Sequence, residues 1–162
     1  MLWYDESVTH WLIKSEPDVF SFDDLLAAPD QTTSWDGVRN YQARNFMRDD
    51  MQPGEPVLFY HSSTHPPGIV GVAEVASKPY PDPSQFVEAN EAYDPKATSD
   101  NPRWMAIDIR AVRKLERLLP LQVLKADEQL RDMRLVQRGN RLSVMPVTEQ
   151  EFERVLELAR QK

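Results

Sequence analysis

Residues 103–115 constrain the fold most. Met105, Ile107, Ile109 and Ala111 alternate with Trp104, Ala106, Asp108 and Arg110, a period of two that describes a β-strand with one apolar face. Such a strand needs a sheet, and the remaining apolar runs supply it. His10 to Lys14 is short, apolar and β-rich, and Ser15-Glu-Pro17 stops it. Residues 57–60 and 68–75 are two further runs, expected to pair as an antiparallel hairpin across the loop 62–67. Residues 141–145 read as a last strand.

Helical signals sit between and after the strands. Ser21 with Asp24 three residues on makes a helix start, with Phe22, Leu25 and Leu26 as its apolar face, and Pro29 ends it. Residues 30–36 read as a loop that holds Trp35. Residues 40–48 read as a helix with Phe46 and Met47 inward and Arg44 and Arg48 on a polar side at i, i+4. Residues 79–102 hold five prolines and read as a long irregular excursion with a brief helix near 84–88. Long ordered loops are often functional. Residues 120–133 read as short helical turns. Thr148 and Glu151 form a capping box ahead of a C-terminal helix carrying Phe152, Val155, Leu156 and Ala159. Runs of strands with peripheral helices, and no sustained βαβ alternation, point to an α+β or small-barrel architecture.

A chain of 162 residues fits one domain with one core. With no Cys, disulfides, thiol nucleophiles and Cys-based zinc sites are excluded, and a reducing cytoplasm is the expected setting. Residues 1–9 carry no apolar h-region, so they are read as an N-terminal extension and not a signal peptide. No apolar run reaches the length of a bilayer span, so no membrane partner is expected. Net charge is −7, which argues against a general grip on phosphate. The charge is uneven: residues 110–141 hold nine Lys/Arg against four acids, which allows one basic face on an acidic body.

The search for catalytic chemistry finds little. His61 and His65 lie four apart, but across a loop with Ser62, Ser63 and Pro66, and no third ligand presents itself, so no metal is expected. The paired acids Asp23-Asp24 and Asp49-Asp50 fit helix ends. The five glycines are scattered and form no phosphate loop. No triad can be assembled, and no cofactor is indicated. Aromatic residues beside polar ones are more numerous: Trp35, Tyr41, Tyr60, Tyr93 and Trp104. A planar base needs aromatic faces for stacking, worth about 1–3 kcal/mol per base, and a few fixed donors and acceptors for its edge. Asn40 offers both from its amide, Ser15 offers a hydroxyl, and Arg39 and Arg44 could hold phosphate. Trp11 and Trp104 read more readily as core.

Trp11-Leu-Ile-Lys-Ser-Glu-Pro17 and Ser34-Trp-Asp-Gly-Val-Arg-Asn-Tyr-Gln-Ala-Arg-Asn45 carry a resemblance to a known family. It resumes at Val57-Leu-Phe-Tyr-His-Ser62 and Gly68-Ile-Val-Gly-Val-Ala-Glu-Val75. It continues at Tyr93-Asp-Pro95, Pro102-Arg-Trp104 and Arg138-Gly-Asn-Arg-Leu-Ser-Val144. By these motifs the chain resembles the EVE domain family over about residues 10–156, which implies a single EVE domain at 10–162. The resemblance implies a PUA-like fold, a mixed or antiparallel β-barrel with peripheral helices, related to ASCH and YTH domains. It implies a non-catalytic reader of a modified nucleobase, with modified cytosine in DNA foremost. Carried over to this chain, Ser15 would contact the base edge, Trp35 would stack on it, and Asn40 would bond it or brace the pocket. Tyr60, His61 and Tyr93 would be further walls. Lys14, Arg39, Arg44, Arg138 and Arg141 would face the nucleic-acid backbone. Two other readings stay open: an enzyme acting on RNA or a nucleoside, with Lys14 and Glu16 as the candidate pair, and a protein-interaction module using the acidic surface.

Overall fold

The structure, a computed structural model, describes residues 9–161. Residues 1–8, most of the expected N-terminal extension, lie outside it. The first strand, β1 (His10–Ser15), is apolar on both sides. It is an interior strand, next to the β7 end of the sheet, with both faces covered, and such a strand reads as a continuous apolar run. Its neighbours are β3 (Pro56–His61), in parallel register, and β7 (Val144–Val147), antiparallel. The expected hairpin is present: β3 pairs antiparallel with β4 (Gly68–Val75). The long alternating segment becomes β6 (Met105–Pro120), which pairs with β4 and with β2 (Thr32–Trp35). A two-residue β5 (Tyr80–Pro81) also pairs with β6. The hydrogen-bonded order is β2-β6-β4-β3-β1-β7, so β2 and β7 form the two ends.

Several boundaries differ from the sequence reading, for physical reasons. Trp35 is not in a loop: residues 32–35 form a strand because Thr32 to Trp35 can ladder against Arg110 to Ile107. The strand β6 runs five residues past 115. Register shifts against β4 at Ile69/Gly71 and Val72/Ala73 re-aim its side chains, so the period of two fades while the strand continues. The helix expected at 40–48 is split. Tyr41–Asn45 is α-helical (α2), and Phe46–Asp50 is a wider π turn. The last strand starts three residues later than expected, at Val144.

The sheet separates two apolar layers. Trp11, Ile13, Val57, Phe59, Ile107 and Ile109 point to the side covered by Phe22 and Leu25 of α1 (Phe22–Ala27) and by Met47 and Met51. Leu12, Leu58, Ile69, Leu119 and Met145 point to the other side, under Leu124 of α3 (Leu121–Ala126) and under α4 (Glu149–Arg160). The capping boxes at Ser21 and Thr148 are both formed. In α4 the buried stripe is Phe152, Val155, Leu158 and Ala159, with Leu156 only half-buried. Phe22 lies directly on the backbone of β4: a Cβ on Gly71 would meet its ring at 2.6 Å.

Candidate functional site

Period-two alternation at the end of β1 sends adjacent residues to opposite faces. Ser15 follows Ile13 toward the α1 side, while Lys14 follows Leu12 toward the α4 side. The chain then turns: Val19 and Phe20 N–H both donate to the Glu16 carbonyl at 2.9 Å. The Ser15 hydroxyl donates to the Phe20 carbonyl at 2.5 Å, and the Ser15 carbonyl accepts from Ser62 N–H. This turn and the end of β2 enclose a cleft of about 500 Å³ lined by Ser15, Val19, Phe20, Thr33, Ser34, Trp35 and Asp36.

Trp35 is half-buried in this cleft. Its ring meets Phe59 edge-on at 5.6 Å and Phe20 edge-on at 6.4 Å. These contacts fix the tilt of the indole. Its N–H makes no hydrogen bond among the described residues and is not a buried unsatisfied group. Ser34 is tied to β6 through the Tyr80 hydroxyl, 2.7 Å away, which in turn donates to Asp108 at 2.6 Å. Burial and the Asp108 carboxylate push the Tyr80 phenol up.

The backbone beyond Trp35 is held by Asp82, which is fully buried. One Asp82 oxygen accepts from Gly37 N–H at 2.7 Å and from Arg39 at 3.0 Å, and the other accepts from Ser84 N–H and its hydroxyl. Burial alone would raise this carboxyl. The hydrogen bonds from Ser84, Gly37 and Arg39 outweigh it and hold the group below the ordinary Asp range. Gly37 has φ +76°, a left-handed conformation open to glycine without a steric penalty.

The expected site residues fall into separate groups. Ser15 and Trp35 come together in the cleft. His61 is paired in register with Ser15 but serves as an acceptor, its Nε2 taking the Phe22 N–H at 3.1 Å at the start of α1. Asn40 is exposed and caps α2, its carbonyl accepting from Ala43 N–H at 3.0 Å. Tyr93 is exposed on the 82–104 excursion and does not line the cleft. Tyr60 is buried on the opposite face, with the Lys14 ammonium 5.7 Å from its ring centroid.

The arginines also divide. Arg39 is not free for phosphate. Its guanidinium donates to Asp82, Ser84 and the carbonyls of Val38 and Ala92, and it covers Trp104 at 5.2 Å. Arg44 bonds the Arg103 carbonyl and Asn45 and lies over Tyr41, which itself stacks on Trp104 at 4.7 Å. Both are structural clamps for the excursion. The side chains of Arg138 and Arg141 make no hydrogen bond or ion pair among the described residues. They line a groove beside Gln42 and Arg134. Arg138 also lines a cleft of about 620 Å³ with Lys14, Tyr60, Lys125 and Arg131. Burial holds the Lys14 ammonium below the ordinary Lys value. The basic stretch 110–141 is therefore only half a basic face. Its β6 portion is compensated by Glu74, Glu116 and Asp23, or bonded to the Leu158 carbonyl. Lys14 and Glu16 form no pair: Lys14 faces Tyr60, and Glu16 is exposed in the turn.

The sequence does not single out Val19, Phe20, Thr33, Ser34 and Asp36 as cleft residues or Asp82 as their support. Asp36 carried a signal in its adjacency to Trp35. Asp82 carried one in the prolines on either side of it.

One consequence concerns acid. Burial pushes the His61 imidazole down from its ordinary value, with Asp23 opposing and Lys114 adding to the shift. A His lowered in the folded state gives stability that is complete above the unfolded value of 6.5 and declines as pH falls from there toward the folded value. The urea midpoint is expected to drop between pH 7.5 and about 5, and His61→Gln should flatten that slope.

The seven-stranded mixed sheet with flanking helices is a PUA-like α+β fold. The YTH domain of the Zygosaccharomyces rouxii MRB1 protein shares it with a TM-score of 0.56 at 15% identity, covering 100% of this chain and 90% of that one. The EVE domain family model matches residues 9–158, and the chain belongs to that family. Human thymocyte nuclear protein 1 is 46% identical over 167 residues, covering 93% of this chain and 73% of that protein. A crystal structure of the human protein in complex with 5-methylcytosine-containing DNA has a TM-score of 0.90 at 44% identity, covering 95% of this chain and 99% of that one. A Pseudomonas syringae protein of known structure is 45% identical with a TM-score of 0.87, covering 93% and 99%. No helix among the described residues is long and apolar enough to cross a membrane.

Proposed function

We propose that this chain is a non-catalytic reader of a modified nucleobase, with 5-methylcytosine or 5-hydroxymethylcytosine in DNA as the leading ligand. The cleft between β2 and the turn after β1 carries the proposal. It combines a half-buried indole of fixed tilt with the polar groups of Ser15, Thr33, Ser34 and Asp36. The human relative that binds 5-methylcytosine-containing DNA, alike over nearly the whole chain, supports it. Trp35 stacks on the base, and Ser15, whose proton is committed to Phe20, accepts from its edge. Asn40 braces the start of α2 and does not touch the base. The protein acts as a cytoplasmic monomer, with residues 10–162 forming one domain.

Flanking phosphates are held by Lys14 and Arg138 on the α4 side and by Arg141 in the adjoining groove beside Gln42, none of them paired with an acid among the described residues. Arg138→Ala and Arg141→Ala are each expected to weaken all oligonucleotides alike and to lower the slope of log K against log salt by about 0.7–0.9. A filter-binding salt series measures this.

The function is tested by titrating labelled oligonucleotides that carry 5-methylcytosine, 5-hydroxymethylcytosine, N6-methyladenine or no modification. Preference for a modified cytosine is expected. Equal weak binding to all four overturns the proposal.

A further inference from the structure

We infer that Asp36 sets the base specificity of the cleft: its carboxylate accepts from the exocyclic amino group at position 4 of a cytosine-type base, and so rejects thymine. This deepens the reading of the cleft as a base site and rests on it.

The first observation is placement. Asp36 directly follows Trp35 at the end of β2 and lines the same cleft. The second is that its carboxylate has no hydrogen bond to another residue and no ion pair among the described residues. Arg39, the cation whose charge acts on it, supplies none, because its guanidinium is already committed to Asp82, Ser84 and two carbonyls. The third is that Asp36 sits near a second carboxylate, the fully buried Asp82. Burial and then Asp82 hold the Asp36 carboxyl above its ordinary value, only partly offset by its own backbone N–H and Arg39. Asp36 as a whole residue is exposed at the cleft, so its carboxylate is open to a donor from a ligand.

A negative group is a liability where a polyanion must approach. Its presence in the cleft therefore calls for a contact that only an acceptor can make. The Ser15 and Ser34 hydroxyls commit their protons to the Phe20 carbonyl and the Tyr80 oxygen and so present neutral acceptors, while the Thr33 hydroxyl can accept or donate. None of them carries a charge that would reject a carbonyl edge. An ionised carboxylate is acceptor-only. Cytosine presents an amino donor at position 4, and a carboxylate accepting from it is an established base contact. Thymine presents a carbonyl oxygen at the same position, which a carboxylate repels. Since 5-methylcytosine and thymine share the ring and the 5-methyl group, stacking on Trp35 and contact with the methyl cannot separate them. Asp36 is the one charged residue of the lining, and its negative charge separates the two edges most strongly.

The test compares oligonucleotides carrying a single 5-methylcytosine or a single thymine, each opposite an abasic site so that neither base has a partner to lose. The wild-type chain is expected to prefer 5-methylcytosine about tenfold or more. Asp36→Asn, whose amide can serve either edge, should bring the two within about threefold while leaving Tm nearly unchanged. An Asp36→Asn protein that keeps the wild-type preference overturns the inference alone, provided Trp35→Ala weakens binding to both oligonucleotides about tenfold or more. Wild-type binding that ignores the base and is unaffected by Trp35→Ala overturns the base-site reading and this inference together.

Discussion

Replacing Asp82 with alanine is expected to lower folding stability by about 3–5 kcal/mol. The side chain is fully buried and accepts from two backbone N–H groups, a guanidinium and a hydroxyl. Its removal leaves the partly buried Arg39 charge unpaired and the Gly37 and Ser84 N–H groups without their acceptor. The loss falls on the site as well as on the fold, because Gly37 fixes the backbone just beyond Trp35 and Asp36. Asp82→Asn keeps the shape but supplies one acceptor oxygen and a donor that faces other donors, so it should be intermediate. Urea denaturation of the two variants beside the wild type measures both effects. A loss below about 1 kcal/mol for Asp82→Ala would mean that the network is held from elsewhere.

Trp35→Ala is expected to reduce binding to the modified oligonucleotide about ten- to a hundredfold, since stacking on one aromatic face contributes about 1–3 kcal/mol. The substitution also removes edge-on contacts to Phe20 and Phe59, so some stability is lost with it. Trp35→Phe separates the two effects. It keeps an aromatic face and should recover most of the affinity, whereas a purely structural role would leave binding proportional to the folded fraction. Fluorescence anisotropy at equal folded concentration reads the difference.

Local patterns made much of the fold legible. β1, the β3–β4 hairpin and both capping boxes depend on residues within a few positions of one another, and each was visible in the chain. The parallel pairing of β1 with β3 was not, because some forty residues separate the partners and no turn joins them. β2 was read as a loop because its residues carry one large apolar side chain among three hydroxyls. Its strand character comes from the ladder against β6, not from its own pattern.

The site divided the same way. Ser15 and Trp35 could be named from the motifs that contain them, and the structure places them in one cleft. Lys14 and Ser15 could have been separated by strand alternation alone, since neighbours in a strand face opposite sides. Arg39 looks available for phosphate in the sequence because its partners, Asp82, Ser84 and the Ala92 carbonyl, lie more than forty residues away. A charged residue read without its partner looks available for a ligand. In sequence Asp36 is a single acid beside a Trp, ordinary until the cleft around it is known.

Nuclear magnetic resonance mapping of an isotope-labelled chain titrated with a 5-methylcytosine oligonucleotide tests the central claim most directly. The largest shifts are expected at the Trp35 indole N–H and at the amides of Ser15, Phe20, Thr33, Ser34 and Asp36, with smaller ones at Lys14, Arg138 and Arg141. Shifts confined to the Lys14, Tyr60 and Arg138 face, with the Trp35 indole unmoved, would contradict a base pocket at the end of β2.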